Sequence, residues 1–155
     1  MIPLTNLDIE THLKSKSLNV ETEKETNQLF VYFDFHGTRF PLFLRIYPNK
    51  ELLQLLLFIP STIQSKAVFD LMRLINHLNK ELDLPGFCFD EQASLIFYRI
   101  MLPAIDGEVH ATFFDAYFNA ANVVCQAFAP VILSVASGIT SYDKVVALIK
   151  EQTNK

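Results

Sequence analysis

The stretch "NHLNKELDLPGFCFD", residues 76–90, joins an apolar helical pattern to an alternating aromatic strand. Asn76 and Asn79 are three residues apart, so a helix places both amides on one side. Leu84-Pro85-Gly86 ends the helix, because the residue before proline avoids helical dihedrals and glycine frees the turn. Amide side chains hydrogen-bond backbone groups. We therefore predict that Asn76, Asn79 and Gly86 are structural and fasten the helix to the turn; contact of the amides with a partner is the alternative.

The helical pattern extends upstream over "SKAVFDLMRLINHLNKELD", residues 65–83, with Ser65 as the expected N-cap. Apolar residues recur there at steps of three and four and predict one buried face, made by Leu71, Leu74, Ile75, Leu78 and Leu82. Downstream, "GFCFDEQASLIFYRIMLP", residues 86–103, predicts a hairpin that turns at "DEQA" and continues in a long strand.

A second hairpin is predicted by "QLFVYFDFHGTRFPLFLRIYP", residues 28–48, where two apolar runs flank "HGT" and Gly37 supplies the freedom of the turn. Pro41 predicts an edge strand or a bulge. The next run, "LLQLLLFIP", residues 52–60, is short and lies between prolines, which favours a strand over a helix.

The two ends of the chain are expected to be helical. Thr5 followed by Asp8 resembles a capping box for a helix over residues 6–15. A long helix is predicted over residues 108–136, kinked or broken near Pro130. A last helix should turn Tyr142, Val145, Val146 and Ile149 inward. The order α-β-β-β-α-β-β-α-α predicts one α+β domain over residues 1–155, an antiparallel sheet of about five strands with helices packed on it.

Residues 116–138 are long and apolar enough to be tested as a membrane span. However, the polar side chains in this region recur with helical spacing and form one narrow stripe, made by Asp115, Asn119, Asn122 and Gln126. That pattern favours a core helix of a soluble protein, so we expect no membrane span.

The alternation along the predicted strands places apolar side chains on both faces of the sheet, whereas an antiparallel sheet usually has one face exposed to solvent. A contiguous exposed apolar patch is rare on soluble monomers. The second face should therefore be covered by the chain's own helices, by a second copy or by a captured polypeptide. The candidate lining of a partner site is Phe30, Tyr32, Phe43, Tyr47 and Tyr98.

Charge and motifs argue against several functions. The net charge is −4 with no long basic run, so nucleic acid is not expected as a partner. Cys88 and Cys125 are far apart in apolar surroundings, which fits a reducing, cytoplasmic location. The four histidines have no metal-site spacing, and the chain contains no nucleophile elbow, glycine-rich phosphate loop or zinc-protease motif. We expect no enzyme activity, metal or cofactor.

The element order, with "LINHLNKEL" followed by "GFCFD" and "LIFYRIMLP", resembles the type III secretion chaperone-like fold. Within that fold, the asparagine-bearing helix before a Gly-Phe strand is similar to YbjN-like proteins, described as bacterial sensory transduction regulators. The resemblance covers about residues 25–137. The residues that carry it are Asn76, Asn79, Gly86, Asp90, Leu102 and Pro103.

Resemblance to the secretion chaperones implies a cytoplasmic homodimer that holds an extended client or effector segment by apolar grooves and strand addition. The helix after Gly138 is not part of the chaperone core, so the chain could instead cover its own sheet. Three functions follow as expectations. The first is a non-enzymatic chaperone-like binding protein; the alternatives are a YbjN-like regulator of a folded partner and a small-molecule-binding domain.

Overall fold

The computed structural model describes residues 1–153 of the chain. Their strands are β1 (Ile2–Pro3), β2 (Glu21–Thr22), β3 (Leu29–Phe35), β4 (Thr38–Ile46), β5 (Leu52–Ile59), β6 (Phe87–Asp90), β7 (Leu95–Pro103) and β8 (Glu108–Val109). Their helices are α1 (Asn6–Ser15), α2 (Val68–Glu81), α3 (Ala111–Ala136) and α4 (Tyr142–Thr153), with a 3-10 turn at Ser65–Ala67 before α2.

The predicted α+β class with an antiparallel sheet is confirmed. Six strands form the sheet in the order β2-β3-β4-β5-β7-β6, and β1 pairs with β8 separately. The main strands and all four helices were expected. Strands β1, β2 and β8 were not, because two residues are too few to show a periodic pattern.

The β3–β4 hairpin turns through His36 and Gly37, whose φ angles are 53° and 80°. Positive φ at both loop residues is what a two-residue hairpin needs to match the strand twist. The Asp34 carboxylate accepts a hydrogen bond from the Gly37 N–H at 3.0 Å. The prediction that Pro41 marks an edge strand or a bulge is wrong: β4 lies between β3 and β5, and Pro41 pairs in register with Tyr32.

The chain divides into two compact units, with boundaries inside β5, β7 and α3. Unit 1 contains residues Met1–Phe58 and Tyr98–Val124. Its core lies on one side of the sheet, where Phe33 packs edge-on against Phe118 of α3 at 5.3 Å between ring centroids. Helix α1 begins as predicted, because the Asp8 N–H donates to the Thr5 hydroxyl at 3.1 Å.

Unit 2 contains residues Ile59–Phe97 and the described residues from Cys125 onward. Ser65 is not the N-cap of α2; it begins the 3-10 turn, and Ala67 caps α2 without a side-chain hydrogen bond. Helix α3 continues through Pro130, so no break occurs there. In α4, Val145 is buried but Ile149 is 44% exposed, which corrects its predicted inward position.

Candidate functional site: the outer aromatic face

The sheet of unit 1 has two unequal faces. Strand β3 alternates between buried residues at odd positions and partly or fully exposed residues at even positions. Its buried residues, Leu29, Val31, Phe33 and Phe35, are each at most 8% exposed. Strands β4 and β5 continue this inner face with Phe40, Leu42, Leu44, Leu53, Leu55 and Leu57. The inner face is therefore sealed as a hydrophobic core.

The opposite face carries large apolar side chains that remain accessible. We call it the outer aromatic face, and its members are Phe30, Tyr32, Phe43, Leu56, Phe58 and Met101. Tyr32 is 39% exposed and Met101 37% exposed, and the others are partly exposed. The register sets Phe30 beside Phe43 and Phe43 beside Leu56, so one apolar row crosses three strands.

Ring contacts make this surface continuous. Phe30 stacks on Phe43 with 5.2 Å between centroids and meets Tyr32 edge-on at 5.5 Å. Phe43 meets Phe58 edge-on at 5.7 Å. Such contacts hold the rings in place and leave a preformed apolar surface, which is the kind of anchor that dominates protein interfaces.

Two arginines of β4 lie over tyrosine rings at this surface. The Arg39 guanidinium carbon is 4.4 Å from the centroid of the Tyr32 ring. That of Arg45 is 5.0 Å from the centroid of the Tyr47 ring. Cation–π geometry of this kind orients the planar guanidinium.

The structure brings four of the five predicted partner-site residues toward the outer side and places the fifth elsewhere. Phe30, Tyr32 and Phe43 belong to the outer aromatic face, and Tyr47 follows the end of β4, partly exposed. Tyr98 is a correction: it is 0% exposed and alternates with exposed Arg99, so it belongs to the inner core. By the same alternation in β7, Met101 lies on the outer side of the sheet. Met101 was not among the predicted partner-site residues.

Asn79 fastens α2 to β6. Its side-chain oxygen accepts hydrogen bonds from the backbone N–H groups of Gly86 (3.1 Å) and Phe87 (3.0 Å). Its amide nitrogen donates to the Phe87 carbonyl at 2.8 Å. Asn76 does not share this role, because it is exposed and has no side-chain hydrogen bond among residues 1–153. Asn76 lies one helical turn earlier, too far from the turn for its short side chain.

Asp115, His12 and Lys16 form a cluster of ionisable side chains in unit 1. Asp115 Oδ1 lies 2.7 Å from His12 Nε2, and Asp115 Oδ2 lies 2.9 Å from Lys16 Nζ. Partial burial raises the pKa of Asp115, but hydrogen bonds with His12 and Lys16 outweigh it, so the pKa lies below its ordinary value. Burial raises the pKa of the Cys125 thiol, which keeps it unreactive. Residues 1–153 hold no group of three metal-ligating side chains.

Helix α3 is long and apolar enough to cross a membrane by length and composition. Core helices of soluble proteins meet the same criterion. Phe114, Phe118 and Ala121 of α3 are buried within unit 1, and Ile132 and Val135 are buried within unit 2. These residues form the buried side of α3, and 33% of its most apolar stretch is buried.

Comparison with known proteins identifies one family. The model of the YbjN family, described as "Putative bacterial sensory transduction regulator", matches residues 8–134. No curated protein matches the chain. The matched residues contain the whole of β3, β4 and β5, and therefore the strands that carry most of the outer aromatic face.

Proposed function

Because the chain belongs to the YbjN family, whose members are described as regulators, we propose that it is a non-enzymatic regulatory protein that binds another protein through the outer aromatic face. The observation that supports this proposal most directly is the contrast between the two faces of one sheet. The inner face is sealed, whereas the outer one keeps Tyr32 39% exposed within a continuous cluster of rings. Exposed apolar patches of this kind mark interaction sites.

The finer proposal is that the partner is an extended segment, as in a secretion chaperone holding its client. Strand β2 pairs with β3 only at Leu29 and Phe30. Residues 31–35 of β3 therefore have no partner strand on that side within residues 1–153. An open edge next to an apolar face suits strand addition, in which backbone hydrogen bonds hold the segment and alternate side chains enter the face.

We also propose a cytoplasmic homodimer. The two free thiols, Cys88 and Cys125, support a reducing location. In unit 2, Phe69 is 71% exposed and Met72 50% exposed, which supports self-association through α2. Light scattering across a concentration series tests the homodimer. A constant mass of twice the monomer mass would support it, and the monomer mass at every concentration would contradict it.

A small-molecule role is the second candidate. A cavity of about 260 Å³ in unit 1 is lined by Leu102, Pro103, Val109, His110, Phe113, Phe114 and Tyr117. Its apolar walls with two polar groups are typical of ligand sites, although its volume suits only a small ligand. Stabilisation on heating with a metabolite, in a chain that binds no polypeptide, would favour this candidate.

Photo-crosslinking tests the main proposal. Benzoylphenylalanine replaces Tyr32 in one variant and, as the control, Leu7 of α1, which is 72% exposed, in another. We expect a discrete crosslinked protein from position 32 in host cells, suppressed by excess unlabelled wild-type chain, and none from position 7. Absence of any crosslink at position 32, or a crosslink only to a second copy of the chain, would contradict a partner role for this face.

A further inference from the structure

Arg39 and Arg45 lie on the same side of β4 as Phe43. All three are at odd positions, whereas the buried residues of this strand are Phe40, Leu42 and Leu44. Arg45 is six positions after Arg39, which corresponds to about 20 Å along a strand. The apolar row at Phe43 therefore lies between two cationic side chains.

Both guanidinium groups have unused hydrogen-bonding capacity. The guanidinium carbon of each lies over a tyrosine ring, at 4.4 Å from the Tyr32 centroid for Arg39 and 5.0 Å from the Tyr47 centroid for Arg45. A cation–π contact is not a hydrogen bond to an oxygen, so each guanidinium keeps N–H donors in the fork that matches a carboxylate. Neither arginine forms an ion pair or a side-chain hydrogen bond within residues 1–153.

Two acids on the same face of the sheet, Asp34 and Glu21, form no ion pair with these arginines. Asp34 stands opposite Arg39 in the register, yet its carboxylate accepts the hydrogen bond of the Gly37 turn instead. Glu21 lies beside Phe30 on β2, and the group within reach of its carboxylate is the Asn19 amide at 3.5 Å. An exposed arginine held beside an acid without pairing to it is available to a carboxylate from outside.

We propose that the partner segment is acidic as well as apolar, with carboxylates that pair with Arg39 and Arg45 and apolar side chains that cover Phe30, Tyr32 and Phe43. This inference rests on the proposed function and specifies its partner. In an extended segment the two acids stand six residues apart, with apolar residues at alternate positions between them. The charges select the segment and fix its register, while the rings supply the contact area.

The charge pattern argues against two other occupants. A second copy docked through the same face would bring its own Arg39 and Arg45 against these two, and like charges facing each other are unfavourable. Nucleic acid needs a broad cationic surface, but this face also carries Asp34 and Glu21 on a chain of net charge −4.

Selection from a display library of random twelve-residue peptides tests the inference. The baits are the wild-type chain and Arg39→Gln/Arg45→Gln; Lys14→Gln/Lys80→Gln is the control that removes two exposed cations elsewhere. We expect wild type and control to enrich peptides with alternating apolar residues and acids about six positions apart. A selected peptide should bind Arg39→Gln/Arg45→Gln at least tenfold more weakly, and Arg39→Lys/Arg45→Lys with intermediate affinity.

The outcomes separate this inference from the proposed function. Apolar peptides without acid enrichment, or acidic peptides that bind equally without the arginines, would overturn the acidic partner and leave the protein-binding role standing. Retention of no peptide would overturn the extended-segment partner, and affinity unchanged in Phe30→Thr/Tyr32→Thr would overturn the role of the outer aromatic face in binding. Tighter, arginine-dependent binding of a twelve-nucleotide oligouridine would replace the acidic segment with nucleic acid. Circular dichroism verifies that each variant is folded.

Discussion

At the junction between α2 and β6, one side chain satisfies three backbone groups. The Asn79 amide hydrogen-bonds the N–H groups of Gly86 and Phe87 and the Phe87 carbonyl. The spacing of two asparagines indicated an amide at this junction but could not say which one, because the choice depends on the path of the turn after Leu82. The sequence shows that two asparagines lie near the junction, but it does not show which of them hydrogen-bonds the backbone of the turn.

We predict that Asn79→Ala lowers the free energy of unfolding by about 2 kcal/mol, because three partly buried backbone groups lose their partner. Asn76→Ala is the matched control and should change it by less than about 0.5 kcal/mol, as expected for an exposed side chain. Urea denaturation of both variants measures the difference. Equal effects of the two substitutions would contradict the assignment.

A second residue-level prediction concerns acid stability. The pKa of Asp115 is lowered in the folded chain by its hydrogen bonds with His12 and Lys16. A carboxylate with a depressed folded pKa contributes stability above its unfolded pKa, about 3.9, and loses that contribution as pH falls through the folded pKa. Wild type should therefore exceed Asp115→Asn in stability at pH 5, and the two should converge at pH 2.

Urea denaturation at the two pH values measures this convergence. Asp83→Asn, which alters an exposed carboxylate, is the control and should match wild type at both pH values. A constant difference between wild type and Asp115→Asn from pH 5 to pH 2 would contradict the role of the Asp115 charge.

At the scale of elements, alternation and turn residues predicted β3 and β4 with their intervening turn, and the helical period predicted α2. The one misplaced residue of the predicted partner site is Tyr98 of β7. The odd-numbered set of this strand contains the charged Arg99, so the alternation assigns the all-apolar set of Ile96, Tyr98, Ile100 and Leu102 to the core. The pattern therefore predicts a buried Tyr98, and its aromatic ring alone does not indicate a partner site.

The β3–β4 turn gives an element-scale prediction. A Cβ at Gly37 would meet no atom within 4 Å, so any cost of Gly37→Ala arises from its φ of 80° alone. We expect Gly37→Ala to lower the free energy of unfolding by about 1 kcal/mol. His36→Asn should raise it slightly, because asparagine followed by glycine suits this turn best. A neutral Gly37→Ala in thermal denaturation would contradict the turn geometry.

At the scale of the whole molecule, the alternation of apolar side chains on both faces of the strands predicted more apolar surface than one face of a sheet can bury. The inner face takes the aliphatic residues and Phe33, Phe35 and Phe40, and the outer face keeps Tyr32 and its neighbours accessible. The sequence could therefore predict that a second apolar face exists. It could not predict whether that face is covered, because this depends on where the helices pack.

The central claim is that the outer aromatic face serves binding and is dispensable for folding. Its most direct test uses the partner crosslinked at position 32 and the double variant Phe30→Thr/Tyr32→Thr, since threonine preserves strand propensity. Leu7→Thr is the control, because Leu7 is 72% exposed on α1.

Titration calorimetry and urea denaturation are measured on the same samples. The predicted result is at least about thirtyfold weaker binding by the double variant, with an unfolding free energy within about 1 kcal/mol of wild type and unchanged binding by Leu7→Thr. Wild-type affinity in a folded double variant would contradict the claim.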